Sequence, residues 1–167
     1  MQDVNVVVTF YSHHGATEKL ALAAAVGAVQ ARANIRLRRL PDIEAAATAE
    51  RDRMNMDYVA PREVDAVWAD AIIVAIPSRI SPAEWQGYIA SLEALRSQGK
   101  LNGKVAGALT SGSDSALPSL CGALAPLGLV IVTPGFAGPA ADAVESAKLQ
   151  GRRVAEVARA LRQASIR

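Results

Sequence analysis

The chain has 167 residues, of which 51% are hydrophobic, 20% charged and 4% aromatic, with a formal net charge of +2. That length allows one domain, 1–167, burying roughly 70% of its unfolded surface, and no Pro/Gly/Ser-rich linker divides it. Scattered Lys and Arg with few aromatics argue against a nucleic-acid groove, the lone Cys121 excludes an internal disulfide and a metal-ligand cluster, and no apolar run reaches membrane-spanning length.

Strand-like sequence begins almost at once, leaving no room for a signal-peptide core, so a soluble cytoplasmic protein with no membrane partner is expected. From Val4 the chain is a nearly unbroken run of β-branched and aromatic residues that stops at Ser12, as in a central strand buried on both faces. Ser12 to Thr17 then reads as a strand-to-helix turn, and Glu18 to Arg32 repeats Ala and Leu at helical spacing. Ile35 to Leu40 alternates as an edge strand, with Arg36, Arg38 and Arg39 forming a solvated face. A short helix is expected over Ile43 to Arg53, with Met54 and Met56 as gap-fillers, and then a helical turn led by Pro61.

Ala71 to Ile76 is a second buried strand, closed by Pro77 and followed by Ser78-Arg79-Ile80-Ser81-Pro82. Trp85, Ile89 and Leu92 mark a helix over Ala83 to Ser97. Lys104 to Leu109 is the next buried strand and ends in Thr110-Ser111-Gly112-Ser113-Asp114-Ser115. A helix over Leu117 to Leu127, stopped by Gly128, leads to a strand at Leu129 to Val132. The last helix spans about Ala143 to Arg162, with Val144, Ala147, Val154, Val157, Ala158 and Leu161 inside and Arg152, Arg153 and Arg159 outside. Strands alternating with helices give an α/β three-layer sandwich around a five-stranded parallel sheet, in the flavodoxin-like order 2-1-3-4-5.

In such sheets ligands bind beyond the carboxyl ends of the strands at the switch point, where three polar turns here converge. The first turn suits a phosphate: helix-start N–H groups are unpaired and carry the positive dipole end, Ser12 and Thr17 add hydroxyls, and Gly15 permits close approach. An isolated S-x-x-G-x-T also serves as an ordinary βα connection capped by Ser12; the buried strand before it and the helix after it favour the anion site. A mononucleotide with a flat ring, such as FMN, fits three turns of this composition.

Phe10-Tyr11-Ser12 with Gly15, Ala69-Asp70-Ala71-Ile72-Ile73 leading to Pro77-Ser78-Arg79, Thr110-Ser111, Leu127-Gly128-Leu129-Val130-Ile131-Val132, and Gln150-Gly151 with Val154-Ala155 together resemble the WrbA-type NAD(P)H:quinone oxidoreductases over nearly the whole chain. The resemblance implies FMN as cofactor and NAD(P)H as co-substrate, with a quinone or similar small-molecule acceptor, in a homo-oligomer (dimer or tetramer). It puts the FMN phosphate on Ser12, His13, His14, Gly15, Ala16 and Thr17, the isoalloxazine edge on Pro77, Ser78, Arg79 and Ile80, and further ring or ribityl contacts on Thr110, Ser111, Gly112, Ser113 and Ser115. Arg79 would lie by the pyrimidine side of the flavin, where positive charge favours the anionic reduced form, and no side chain need act as acid or base. The histidines of the first turn are expected to face solvent.

The chain departs from the family pattern in three places. Ile80-Ser81-Pro82 stands where the family has an aromatic residue and then Gly-Asn, leaving Trp85 as a candidate wall. Gly112-Ser113-Asp114-Ser115 replaces a Gln-His-Gly-Gly run, and only Gly135 to Val144 spans the stretch before the last helix. The alternative reading is therefore a flavodoxin-like binding or regulatory module with weak or lost FMN affinity. An electron-carrier flavodoxin is disfavoured by the basic balance. A response-regulator receiver is excluded because Phe10-Tyr11-Ser12 and Pro77-Ser78 occupy the places of its carboxylates.

Overall fold

The computed structural model describes residues 3–43, 48–79, 83–113, 116–135, 138 and 141–164. β1 (Val4–Phe10) alternates its side chains between two apolar layers, as a strand of period two must when both faces are covered. Val4, Val6, Val8 and Phe10 pack with Leu20, Ala24 and Ala28 of α1 (Ala16–Gln30) and Ala147, Val154 and Ala158 of α6 (Ala143–Gln163). On the opposite face Val7 packs with Ala66 of α3 (Glu63–Trp68), Leu92 of α4 (Ala83–Ser97) and Leu120 of α5 (Leu117–Leu124). The remaining strands are β2 (Ala33–Arg39), β3 (Ala71–Pro77), β4 (Val105–Ser111) and β5 (Val130–Val132). They form one parallel sheet in the order β2-β1-β3-β4-β5, which is the expected flavodoxin-like topology.

The small residues of α1 let α6 approach backbone to backbone. A Cβ on Gly27 would lie 1.9 Å from the Lys148 carbonyl oxygen, and one on Gly151 would lie 1.9 Å from that of Ala24. These reciprocal contacts give the Gln150-Gly151 pair a packing reason. Gln150 is fully buried, and its Nε2 donates to the Val132 carbonyl at 2.5 Å, anchoring the end of short β5.

Several local expectations are corrected. Helix α1 begins at Ala16, earlier than Glu18, because Gly15 already supplies its cap. Of the helix expected over Ile43 to Arg53, residues 44–47 lie outside the described residues; the described helix is α2 (Ala49–Asp57), started by Thr48, whose Oγ1 accepts the Arg51 N–H at 3.2 Å, and Ile43 is exposed outside it. Met54 fills the core as expected, whereas Met56 is exposed. Pro77 is the last residue of β3 instead of its terminator, and Leu117 to Leu127 is α5 followed by a 3-10 turn at Ala125–Leu127. On α6, Val144 is exposed, while Arg159 is turned inward to donate to the Ala31 carbonyl.

The arginines of β2 are not a solvated face. Asp65, in the first turn of α3, accepts from Arg36 Nη1 at 3.1 Å, Arg38 Nε at 2.8 Å and the Arg62 N–H at 3.0 Å, and Arg36 also lies 4.1 Å over the Trp68 ring. Burial acts to raise the Asp65 carboxyl, but its hydrogen bonds from Arg38 and Arg62 and the charge of Arg38 outweigh it, holding the group below the usual carboxylate range. Arg39 points under the end of β1 and is 2% exposed.

Candidate functional site

The first turn leaves β1 through Tyr11, whose N–H still bonds to the Ala75 carbonyl at 3.0 Å, so β3 holds the chain until Ser12. Ser12 is buried, and its Oγ accepts the Gly15 N–H at 3.0 Å, folding the turn onto itself. Gly15 has φ +92°, a left-handed conformation that glycine adopts without the Cβ penalty. It is the N-cap of α1 and provides no side chain to cap the first turn. That turn therefore presents backbone donors and the positive dipole end toward whatever lies above it.

Hydroxyls and backbone tie the three polar turns together. Thr17 Oγ1 and Ser111 Oγ hydrogen-bond at 2.7 Å, joining the start of α1 to the end of β4. One hydroxyl must donate to the other, so the pair keeps one O–H to offer a ligand. The Ser78 N–H donates to the Ser111 carbonyl at 2.9 Å, bringing in the turn after β3. Gly112, at φ +90°, lies so close that a Cβ there would be 2.6 Å from Ser78 Oγ. Thr110 Oγ1 is buried at the end of β4 with no partner among the described residues.

The other expected positions fall as follows. Ala16 is exposed at the first helical position, Pro77 is half-buried, and Arg79 and Ser113 are exposed. Ile80 and Ser115 lie outside the described residues. His14 is exposed, in keeping with a solvent-facing ring, but His13 is not: it is half-buried, stacks edge-on against Tyr11 with ring centroids 4.8 Å apart, and receives Arg51 Nη2 at 2.5 Å on Nδ1. The reason is α2, which brings Arg51 over the turn from a segment where sequence offers no pairing signal.

Two charged groups flank this turn. On one side Tyr11 Oη donates to Asp42 Oδ1 at 2.8 Å, and Arg39 and Arg51 pair with the same carboxylate. Burial raises Asp42, yet hydrogen bonds from Arg39, Tyr11 and Asn55 lower it further, so it stays ionised. On the other side Arg53 bridges Glu18 and Glu50, each at 2.6 Å, and Tyr58 Oη donates to Glu18 at 2.7 Å. The Arg53 hydrogen bond is the main cause that holds the Glu18 carboxyl below its ordinary range. A Cβ on Gly15 would come within 3.3 Å of Glu50 Oε1, so these carboxylates lie close to the turn, with Arg53 offsetting their charge.

A cavity of about 820 Å³ opens beside the joined turns, lined in part by Ala16, Lys19 and Leu20 of α1, Thr110, Ser111 and Gly112 after β4, and Thr133, Pro134 and Gly135 after β5. Four of the expected positions therefore face this space. Lys19 and the Thr133 turn are additions; Lys19 follows Ala16 by three residues and shares its helix face, a spacing legible in the sequence. The residues present fit a phosphorylated flat ring in chemical type: a helix start with glycine at its cap, two glycine-shaped approaches, an unpaired hydroxyl at Thr110 and a cationic Lys19 at the cavity wall.

No protein-family model matches the chain. An NAD(P)H dehydrogenase (quinone) of Methylocella silvestris is 32% identical to it, the match covering 92% of this chain and 96% of that protein. One of Bradyrhizobium diazoefficiens is 30% identical, covering 93% and 98%. Among solved structures, a WrbA-like flavodoxin from Agrobacterium tumefaciens superposes with a TM-score of 0.68 at 24% identity, covering 95% of this chain and 99% of that one. An archaeal flavodoxin superposes at 0.65 with 13% identity, a likeness of fold alone. With its sheet order, its joined turns and relatives matched over nearly their full length, the chain belongs to the NAD(P)H dehydrogenase (quinone) family.

Proposed function

We propose that this protein is an FMN-dependent oxidoreductase that passes electrons from NAD(P)H to a quinone, working in the cytoplasm as a homo-oligomer. The observation that carries the reading is the linkage of the turns after β1, β3 and β4 through Thr17, Ser78 and Ser111 at the switch point of the sheet. When bound, FMN supplies the redox chemistry, accepting a hydride from NAD(P)H and returning two electrons to the quinone.

The residues of the chain bind and orient. Ser12 to Thr17 hold the phosphate through the helix-start N–H groups and the free O–H of the Thr17–Ser111 pair. Pro77, Ser78 and Arg79 edge the ring, with the Arg79 guanidinium supplying the positive charge that favours a reduced, anionic ring. Thr110, Ser111, Gly112 and Ser113 complete the contacts. The cavity beside Ser111, walled by Leu20 and Pro134, gives an apolar acceptor room to approach.

A steady-state assay checks this directly: purified protein supplied with FMN should consume NADH or NADPH only when a small quinone such as benzoquinone is present, with parallel lines in double-reciprocal plots as the two substrates alternate. Tight FMN binding without such turnover would favour the binding-module reading.

A further inference from the structure

Arg39 is a buried cation with no place in the sequence reading of the site. Its guanidinium is 2% exposed and lies directly behind the first turn. Nη2 donates to the Ser12 carbonyl oxygen at 2.9 Å and to Asp42 Oδ1 at 3.1 Å, and Nη1 donates to Asn55 Oδ1 at 2.8 Å. The group sits 5.3 Å from the Tyr11 ring centroid, and the Leu40 N–H pins the base of the same corner to the Phe10 carbonyl at 2.8 Å. The two terminal nitrogens in a rigid plane are thus divided among the Ser12 and Leu40 carbonyls, the Asp42 carboxylate and the Asn55 amide, while Nε is buried with no partner among the described residues.

The Ser12 contact has a directional effect. A trans peptide is planar, with its C=O and the following N–H pointing oppositely, and the described chain has no cis bond. Holding the Ser12 oxygen on a guanidinium under the turn therefore faces the His13 N–H away from that guanidinium, while the Gly15 N–H is taken up by Ser12 Oγ. It also keeps an electronegative carbonyl oxygen out of the anion's path. We propose that Arg39 is the positioning residue of the phosphate turn, setting its affinity for a phosphorylated ligand through the Ser12 peptide without touching the ligand. This rests on the reading of the turn as the phosphate end of a flavin site. Lysine cannot replace it, because one ammonium does not span Ser12, Asp42 and Asn55 in a fixed plane.

The test compares FMN with riboflavin, which has the same ring and no phosphate, in wild type, Arg39→Lys, Arg39→Gln and Asn55→Ala. FMN Kd rises about tenfold or more in the Arg39 variants, the cost of one charge-assisted hydrogen bond, while riboflavin Kd changes by less than about twofold. Asn55→Ala, which loosens one tether at an exposed residue, gives a smaller shift of the same kind and keeps the test open should an Arg39 variant not fold. Wild-type FMN affinity in Arg39→Lys, or equal loss of both flavins, overturns the proposal. Inorganic phosphate provides a flavin-free readout: it raises the melting temperature of the wild-type apoprotein and not of Arg39→Lys. If wild type binds no flavin but keeps this phosphate response, the flavin reading fails and the role of Arg39 stands; if the response is equal in both proteins, the role of Arg39 fails.

Discussion

Asp65 ties the β2 edge of the sheet to α3. It is 1% exposed, with Arg36, Arg38 and the Arg62 N–H all directed at its carboxylate. Removing it leaves two guanidinium groups facing each other without an anion, so Asp65→Ala should cost about 2–3 kcal/mol in urea unfolding, more than an exposed ion pair is worth. The same group sets an acid limit. Its folded pKa is depressed from the ordinary 3.8, so its stabilisation is present above that value and lost as the pH falls through the folded one. Asp42 and Glu18 are lowered in the same direction. The urea midpoint should therefore fall steeply below about pH 4, and Asp65→Asn should flatten that fall; an unchanged slope would show that Asp65 is not among the groups responsible. None of these pairings was legible from sequence. Arg38 and Asp65 are 27 residues apart, and the partner of Arg39 at Ser12 is a backbone oxygen, which no side-chain pattern reports.

Among the elements, α1 and α6 form the layer that fixes the depth of the site. Their contact depends on Gly27 and Gly151, where an added methyl would meet a carbonyl oxygen at 1.9 Å. Gly151→Ala must push the helices apart, and a loss of at least about 2 kcal/mol of stability is expected despite the gain in helix propensity. A neutral or stabilising substitution, seen as an equal or higher melting temperature, would contradict this packing. The Gln150-Gly151 pair was visible as a motif in the sequence, and the structure supplies its physical cause. The strands were legible because buried parallel strands are continuous apolar runs, and β1, β3 and β4 are buried along nearly their whole length. The start of α2 was misplaced because Ala-rich sequence before Thr48 has the composition of a helix, while the Thr48 cap decides where the helix begins.

At the scale of the whole molecule, the sheet order brings turns from three separate strands to one place, and the Thr17–Ser111–Ser78 contacts hold them there. The convergence could be inferred from sequence because topology dictates it. The polar frame of Arg39, Asp42, Arg51 and His13 could not, since α2 completes it from outside the three turns. Ser111→Val keeps the strand but removes the hydroxyl bridge, so FMN affinity should fall by about tenfold with little change in melting temperature, measured by flavin fluorescence quenching. The central claim is that these joined turns hold FMN, and the visible absorbance spectrum of the freshly purified protein tests it most directly. The account predicts a flavin spectrum, or its appearance when FMN is added to one equivalent with quenching of the free flavin's fluorescence. A colourless protein that leaves micromolar FMN fluorescence unquenched would contradict it.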